Sequence, residues 1–485
     1  MICSAGDKLK HIAAVSLCVF GAMLIFAGCT SPLYPHYTCL DSSMFLITAR
    51  GITEGKIAYI DLFDHKGPIF FWLEAIGYAI GGRTGVWLLE CVLAVLDVLL
   101  IEKICGRLKA KALLPVLASA SLFFYLFMHG NLTEEFSMPL ILAAVWMSVS
   151  FFAGDSVRHP PLAAFAYGVI IGCLAFIRLN NAVGVCVLVI CIGVILIKEK
   201  QWGNILANFL MGLAGIAVVA IPVCAYFYAH SALYEMLYAT FLHNFVYAKN
   251  SSHAAILSKY IINFAFMYAP GVYVACVFAA KSRSGNKRLY LPLLAATAVT
   301  YAMLLYSNVY AHYFMLGLPF FAIAAAVQFP DLEIKNILST IKRRSDAACL
   351  GVIVFAFFCL SLYSAAAPIY KSYLSNIASD QYSQIAESME CVPEDERDSV
   401  IGFGVLADFY VHADILPCYK YYTLQRWMTT ENRDVYGQFV DYVLNEHPLW
   451  IVTKTDETDS TMLQILSDEY ILKTQDDYCK YYRLR

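Results

Sequence analysis

The chain has 485 residues, of which 60% are apolar, 14% aromatic and only 15% charged, with a net charge of −3 and a mean hydropathy of +0.62. A soluble domain carries about 25% charged and about 45–50% apolar residues, so this chain has too little polar surface to coat a water-soluble particle of its size. An ordinary cytosolic enzyme, a disordered protein and a nucleic-acid binder with a basic field for phosphate backbones are excluded; what remains is a polytopic membrane protein with room for one small soluble domain.

The first apolar run, 11–29, follows Lys8 and Lys10. Phe26-Ala27-Gly28-Cys29 loosely resembles a lipoprotein cleavage box but lacks its leucine, so an uncleaved first helix is the better reading. Further runs long enough to cross lie at 84–101, 112–128, 136–152, 161–176, 182–197, 204–229, 260–280, 289–306, 312–328 and 347–367. Several sit near the short limit of about 17 residues. Segment 68–82 is apolar too, but it is short, holds Glu74 and ends in Gly81-Gly82.

Positive charges decide whether 68–82 crosses. If it does not, there are eleven spans. The inner loops then collect Lys8, Lys10, Lys103, Arg107, Lys109, Lys111, Arg158, Lys198, Lys200, Lys281, Arg283, Lys287, Arg288, Lys335, Lys342, Arg343 and Arg344. The outer loops keep Arg50, Lys56, Lys66, Arg83, Arg178, Lys249 and Lys259. If it crosses, the bias reverses, so the positive-inside rule favours the first topology. The expected architecture is an all-α polytopic membrane protein of about eleven transmembrane helices with outer juxtamembrane helices. Its N-terminus is cytoplasmic, and the plasma membrane is its expected site.

Residues 368–485 differ in composition. Charges and tyrosines rise, and long apolar runs stop. Segments 400–404, 450–454 and 479–484 read as strands, with helical stretches at 436–446 and 461–466. The expected division is 1–367 as the transmembrane module, with an outer loop at 30–83, and 368–485 as a small extracytoplasmic α/β domain. Of sixteen cysteines, most sit inside apolar runs, where they read as small hydrophobes, and no CxxC pair occurs.

In this topology the unusual polar residues gather on the outer side. The first outer loop carries Asp41-Ser42-Ser43 and Asp61-Leu62-Phe63-Asp64-His65-Lys66-Gly67-Pro68. Later ones carry Glu134-Glu135, Arg178-Leu179-Asn180-Asn181, the histidines 230, 243 and 253, and Asn308-Val309-Tyr310-Ala311-His312-Tyr313. Ionisable groups at helix ends cost free energy unless paired or solvated, so they are functional candidates. Carboxylates supply a general base or metal ligands; Lys66, Arg178 and His312 are suited to holding a phosphate. A cationic site beside a carboxylate fits attack on a sugar carbon with phosphate as leaving group. There is no Walker loop and no dinucleotide fingerprint, which fits an external enzyme fed by a lipid-linked donor.

The run from Gly51 through Tyr59-Ile60-Asp61-Leu62-Phe63-Asp64-His65-Lys66-Gly67-Pro68 resembles the first-loop motif of bacterial GT-C glycosyltransferases of the family-39 type. That group includes relatives of protein O-mannosyltransferases and aminoarabinose transferases. Asp41 close behind span one, Gly130-Asn131-Leu132-Thr133-Glu134-Glu135 and Tyr310-Ala311-His312-Tyr313 are similar to its other loops. The resemblance covers roughly residues 1–330. It implies a GT-C fold and a single inverting displacement. Asp41 would be the general base, Lys66 the contact to the phosphate of a polyprenyl-phosphate-linked sugar, and Glu134 or Glu135 the second-loop acid that orients substrate or holds a metal ion. Asp61 and Asp64 would shape the first loop or bind sugar hydroxyls. The acceptor would be a glycan, lipid or protein hydroxyl. A divalent ion is the one cofactor implied, and Ser42 and Ser43 stand where the family often has a second acid, which argues against metal at that position. Arg178 and His312 are added as substrate-binding candidates from charge and side of the membrane, and His65, Asn180 and Tyr310 join them as substrate-binding candidates.

Plainer readings stand beside these. Asp41 is placed to cap a helix over 42–51; Lys66 to snorkel at the boundary; one of Glu134 and Glu135 to sit on a helix dipole; Arg178 to be interfacial; His312 to pack through hydrogen bonds. His243 and His253 read as loop surface. The rival functions are a transporter or flippase of a lipid-linked glycan, which needs ionisable groups near mid-bilayer where only Glu90 and Asp97 stand out, and a polysaccharide-anchoring protein, which does not need the acidic first loop.

Overall fold

The computed structural model describes residues 5–244, 261–305, 310–331, 345–378, 381–424 and 434–485. The sequence features at Lys249, His253, Lys259, Asn308, Lys335, Lys342, Arg343 and Arg344 lie outside the described residues. Among the described residues each of the eleven apolar runs is mostly helical. In chain order the helices are α1 (Ala5–Phe26), α2 (Leu40–Thr53), α3 (Pro68–Arg107), α4 (Leu113–Leu126), α5 (Thr133–Phe152), α6 (Pro161–Arg178), α7 (Val183–Lys198), α8 (Trp202–Ala229) and α9 (Leu233–Leu237), followed by α10 (Ile261–Ser284), α11 (Lys287–Leu304), α12 (Leu318–Gln328) and α13 (Ser345–Ala378). Among the described residues six stretches are long and apolar enough to cross a bilayer alone: Gly6–Phe26, Pro68–Arg107, Thr133–Phe152, Pro161–Lys198, Trp202–Ala229 and Ala311–Gln328. Helices are the expected solution, because a backbone in hydrocarbon must satisfy its own hydrogen bonds.

The packing divides the chain into two units, one of Met1–Ala27, Trp87–Tyr226 and Ser251–Ala366, the other of Gly28–Val86, Phe227–Asn250 and Ala367–Arg485. The first unit is the helix bundle proper. Its core runs through Met23, Cys91, Leu122, Leu142, Val185 and Ala324, and α11 packs on both α7 and α10. Small residues such as Ala144, Ala296 and Ala324 are fully buried there, which lets helix backbones approach closely where no hydrophobic force separates lipid from protein.

In the second unit, the front of α3 is a helix of its own. Gly81 (φ −172°) and Gly82 (φ 58°, ψ −140°) break the helical path. A Cβ on Gly77 would lie 2.9 Å from the Val86 Cα, and one on Gly85 would lie 2.0 Å from the Gly77 carbonyl oxygen. A continuing helix would separate residues 77 and 86 by about 13 Å at 1.5 Å per residue. The chain therefore doubles back at the glycine pair, and a side chain at Gly82 would meet a conformation reserved for glycine.

The C-terminal part of this unit carries a four-stranded sheet in the order β1-β2-β4-β3, with β1 (Val400–Phe403), β2 (Trp450–Lys454), β3 (Tyr470–Gln475) and β4 (Cys479–Leu484). Strands β1 and β2 are parallel, pairing Val400 with Trp450, so a crossover is required. A helix at Val435–Glu446 lies in that connection, capped by Asp434, whose side chain accepts from the Gly437 N–H. The other two pairings are antiparallel. The strands expected at 400–404, 450–454 and 479–484 are present. Strand β3 has no alternation to announce it, since Ile471, Leu472 and Lys473 are all exposed. The fold is thus a polytopic helical protein with a small C-terminal sheet domain.

Candidate active site

In the second unit the candidates Asp41, Asp61, Asp64, His65 and Lys66 come from α2 and the loop behind it. Helix α2 ends at Gly55, whose φ of 89° is left-handed. A Cβ on Gly51 would strike Leu62 at 2.4 Å, so the spaced glycines of the motif let the loop close onto the helix. The loop is then knotted by its own groups. The Ile57 N–H donates to Asp61 Oδ2 at 2.6 Å, the Tyr59 N–H to the Leu62 carbonyl at 2.8 Å, and the Tyr59 hydroxyl to the Lys66 carbonyl at 2.8 Å. Asp61 is therefore engaged in the turn.

At the centre lies Asp64, wholly buried. Its Oδ1 accepts the Lys66 N–H at 3.0 Å and faces Lys66 Nζ at 3.6 Å and His65 Nδ1 at 3.5 Å, while among the described residues Oδ2 has no hydrogen-bond partner. Burial raises its pKa, the Lys66 cation pulls it back, and the carboxylate of Asp41 nearby raises it again. Lys66 also lies 5.0 Å from the centre of the Phe45 ring, so it is a paired, buried cation and not a snorkelling one. Asp41 is half-buried in the first turn of α2, whose N-cap is Cys39. The cap reading of Asp41 fails for that reason: it sits inside the helix, where an acid complements the dipole.

His243, read from the sequence as loop surface, is buried instead, with its ring 5.7 Å from His65 and 5.9 Å from Phe63. The neighbouring Asn244 donates to the His65 carbonyl at 3.0 Å. A short π-helical turn at Tyr238–Leu242 presents these two residues, and no sequence pattern announced it. A disulfide also joins Cys29, the last residue of the first apolar run, to Cys39, a pair that the cysteine reading did not single out.

In the first unit the candidates are Glu134, Glu135, Arg178, Asn180, Tyr310 and His312. The chain breaks between α6 and α7 at Arg178, which is extended at φ −164°. Arg178 Nη1 meets Glu134 Oε1 at 2.9 Å, Nη2 donates to the Tyr313 hydroxyl at 2.5 Å, and the guanidinium lies 4.1 Å over the Tyr313 ring. Arg178 is thus a half-buried arginine whose guanidinium serves two partners. The two acids divide: Glu134 takes Arg178, and Glu135 turns toward Glu90. Glu135 Oε2 and Glu90 Oε1 both accept the Asn131 N–H, at 3.1 and 2.6 Å. The loop that delivers this amide holds Met128, His129, Gly130 and Asn131 at φ 45°, 75°, 91° and 59°, a strained path. His312 stacks with Tyr310 at 5.7 Å and meets Tyr313 edge-on at 4.5 Å. Asn180 stays exposed in the 3-10 turn Leu179–Ala182.

Among the described residues the implied divalent ion finds no matching donor set. Asp41 is followed by buried serines, Asp64 faces two basic groups, and among the described residues no three His, Cys, Asp or Glu side chains converge as metal ligands.

Residues 5–377 match the competence-induced protein Ccs4 N-terminal domain. The chain belongs to that family. No curated protein matches the chain. Among solved structures, the Ccs4-type chain is similar to apo ArnT from Cupriavidus metallidurans, with a TM-score of 0.62 and 15% identity over 99% of this chain and 98% of that one. It is also similar to the oligosaccharyltransferase AglB from Archaeoglobus fulgidus, in complex with an inhibitory peptide and a dolichol-phosphate, with a TM-score of 0.46 and 13% identity over 90% of this chain and 69% of that one. The family member therefore has the GT-C fold that its first-loop motif implied.

Proposed function

We propose that this protein is an integral-membrane inverting glycosyltransferase that moves a sugar from a polyprenyl-phosphate donor to a glycan, lipid or protein hydroxyl outside the cytoplasm. ArnT, an aminoarabinose transferase, has the same fold, and the first-loop motif is of the same type. The observation that carries the reading is the pairing of Asp64 with Lys66 and His65 near Asp41, two carboxylates and a buried cation supplied by α2 and the loop behind it.

Asp41, the more accessible carboxylate, takes the acceptor proton. The acceptor oxygen forms the new bond to the anomeric carbon as the bond to the donor phosphate breaks, and the phosphate leaves on the lipid. Lys66 stabilises the departing phosphate, and Asp64 holds Lys66 and His65 in place. The proton resides on Asp41 at the end of the step. Cys29–Cys39 supports an outer location for the loop, because disulfides persist in oxidising compartments.

A transporter of lipid-linked glycan is the second reading. Asp97, buried in α3 with its Oδ1 unbonded among the described residues, favours it. The lipid-linked sugar profile of cells lacking the protein tests the first reading: the unused donor accumulates on the outer leaflet with its sugar intact. An unchanged donor pool contradicts the transferase, and accumulation confined to the inner leaflet supports the transporter.

A further inference from the structure

Helix α2 enters without the usual anchor. Its N-cap, Cys39, makes no side-chain hydrogen bond to the free N–H groups of the first turn, where Ser, Thr, Asp or Asn normally would. Its sulfur is instead joined to Cys29, ten residues earlier. Within the loop so closed the Leu33 N–H donates to Ser31 Oγ at 3.2 Å, and Arg83 reaches into it. Arg83 Nη1 donates to the Pro35 carbonyl at 2.6 Å, and Nη2 donates to the carbonyls of Gly28 at 2.8 Å and Tyr37 at 2.6 Å. Three carbonyls of one loop thus converge on one rigid planar fork. Arg83 follows directly on the glycine reversal at Gly81-Gly82, so its backbone is fixed as well. On the far side the His36 ring stacks on Tyr382 at 4.0 Å. Asp41 begins two residues after the bridged cysteine.

We propose that Arg83 and the Cys29–Cys39 bridge form a brace that positions Asp41, with Arg83 as a positioning residue for the transfer reaction; this rests on the transferase reading above. Arg83 touches neither acceptor nor donor in this account. It fixes a loop that runs directly into the first turn of α2, so loosening it lets the Asp41 carboxylate wander from its attack geometry. Small misplacements of a reacting group are costly in rate while leaving donor contacts untouched.

The test uses the full chain in lipid nanodiscs, comparing wild type with Arg83→Gln, Arg83→Lys, the double substitution Cys29→Ser with Cys39→Ser, and wild type treated with a thiol reductant. Amide exchange over residues 40–46 reads the brace without any substrate; turnover with a polyprenyl-phosphate sugar reads its consequence. Exchange there is expected to quicken about tenfold in Arg83→Gln, in the double serine variant and in the reduced protein, with protection in α5 to α8 unchanged. kcat is expected to fall about tenfold or more with KM for the donor within about twofold, and Arg83→Lys to recover part of it. Unchanged exchange at 40–46, or wild-type kcat in both the glutamine and the serine variants, overturns the brace. A general loss of protection in every variant and in the reduced protein also overturns it, since the effect is then on stability and not on position. A wild-type protein with no turnover whose 40–46 exchange still responds contradicts the transferase reading and leaves the brace in place as a structural device.

Discussion

Lys66 has two duties in this account, and the buried Asp64 defines the first. A carboxylate with no exposed surface is tolerable only beside a cation or as the neutral acid. Lys66→Ala removes the nearest cation, and the loss of stability is expected to reach about 2–4 kcal/mol near neutral pH. The sign of its pH dependence follows from the raised pKa of Asp64. The protonated acid needs no partner, so the gap between variant and wild type is expected to narrow as pH falls and to widen as it rises. Thermal unfolding in detergent across pH 4–8 checks this; a gap independent of pH contradicts it. The pair was only half legible beforehand. Asp64, His65 and Lys66 were visible as an unusual run, but which acid holds the lysine depends on the loop's knot through Tyr59 and Asp61. His243 was misread because its burial comes from a π-helical turn and from Phe63, far away in the chain.

The short helix Ala407–His412 carries a strongly shifted histidine. Burial, reinforced by His36 and Arg83, lowers the His412 pKa to about 4. Its folded value lies below its unfolded one, so the neutral ring's contribution to stability is intact above about pH 6.5 and is lost as pH falls toward 4. The total over that window is expected to be about 3 kcal/mol. His412→Phe should flatten this part of the acid unfolding curve, and an unaltered curve would contradict the assignment. At this scale most of the fold was readable. Apolar length located all eleven runs, and strands β1, β2 and β4 stood out as short segments among polar neighbours. Strand β3 escaped because it is an edge strand with a bulge between Leu472 and Thr474 and little burial to pattern it. The reversal at Gly81-Gly82 was signalled by the glycines, and the distribution of positive charge had favoured a segment 68–82 that does not cross.

For the whole molecule, composition alone decided the membrane class, and the first-loop motif pointed to the GT-C fold that the likeness to ArnT bears out. What no pattern supplied were the pairings made across long stretches of chain: Arg178 with Glu134 and Tyr313, and Glu135 with Glu90 on one amide. Each joins residues whose separation in sequence hides their contact. The central claim is that Asp41 performs the proton transfer that lets an acceptor hydroxyl displace a lipid phosphate. The direct measurement is release of polyprenyl phosphate by purified wild-type and Asp41→Asn protein in proteoliposomes, with donor binding measured on the same samples. The account predicts that the variant binds donor as the wild type does and releases lipid phosphate at least about 100-fold more slowly. Equal release by the two proteins would contradict it.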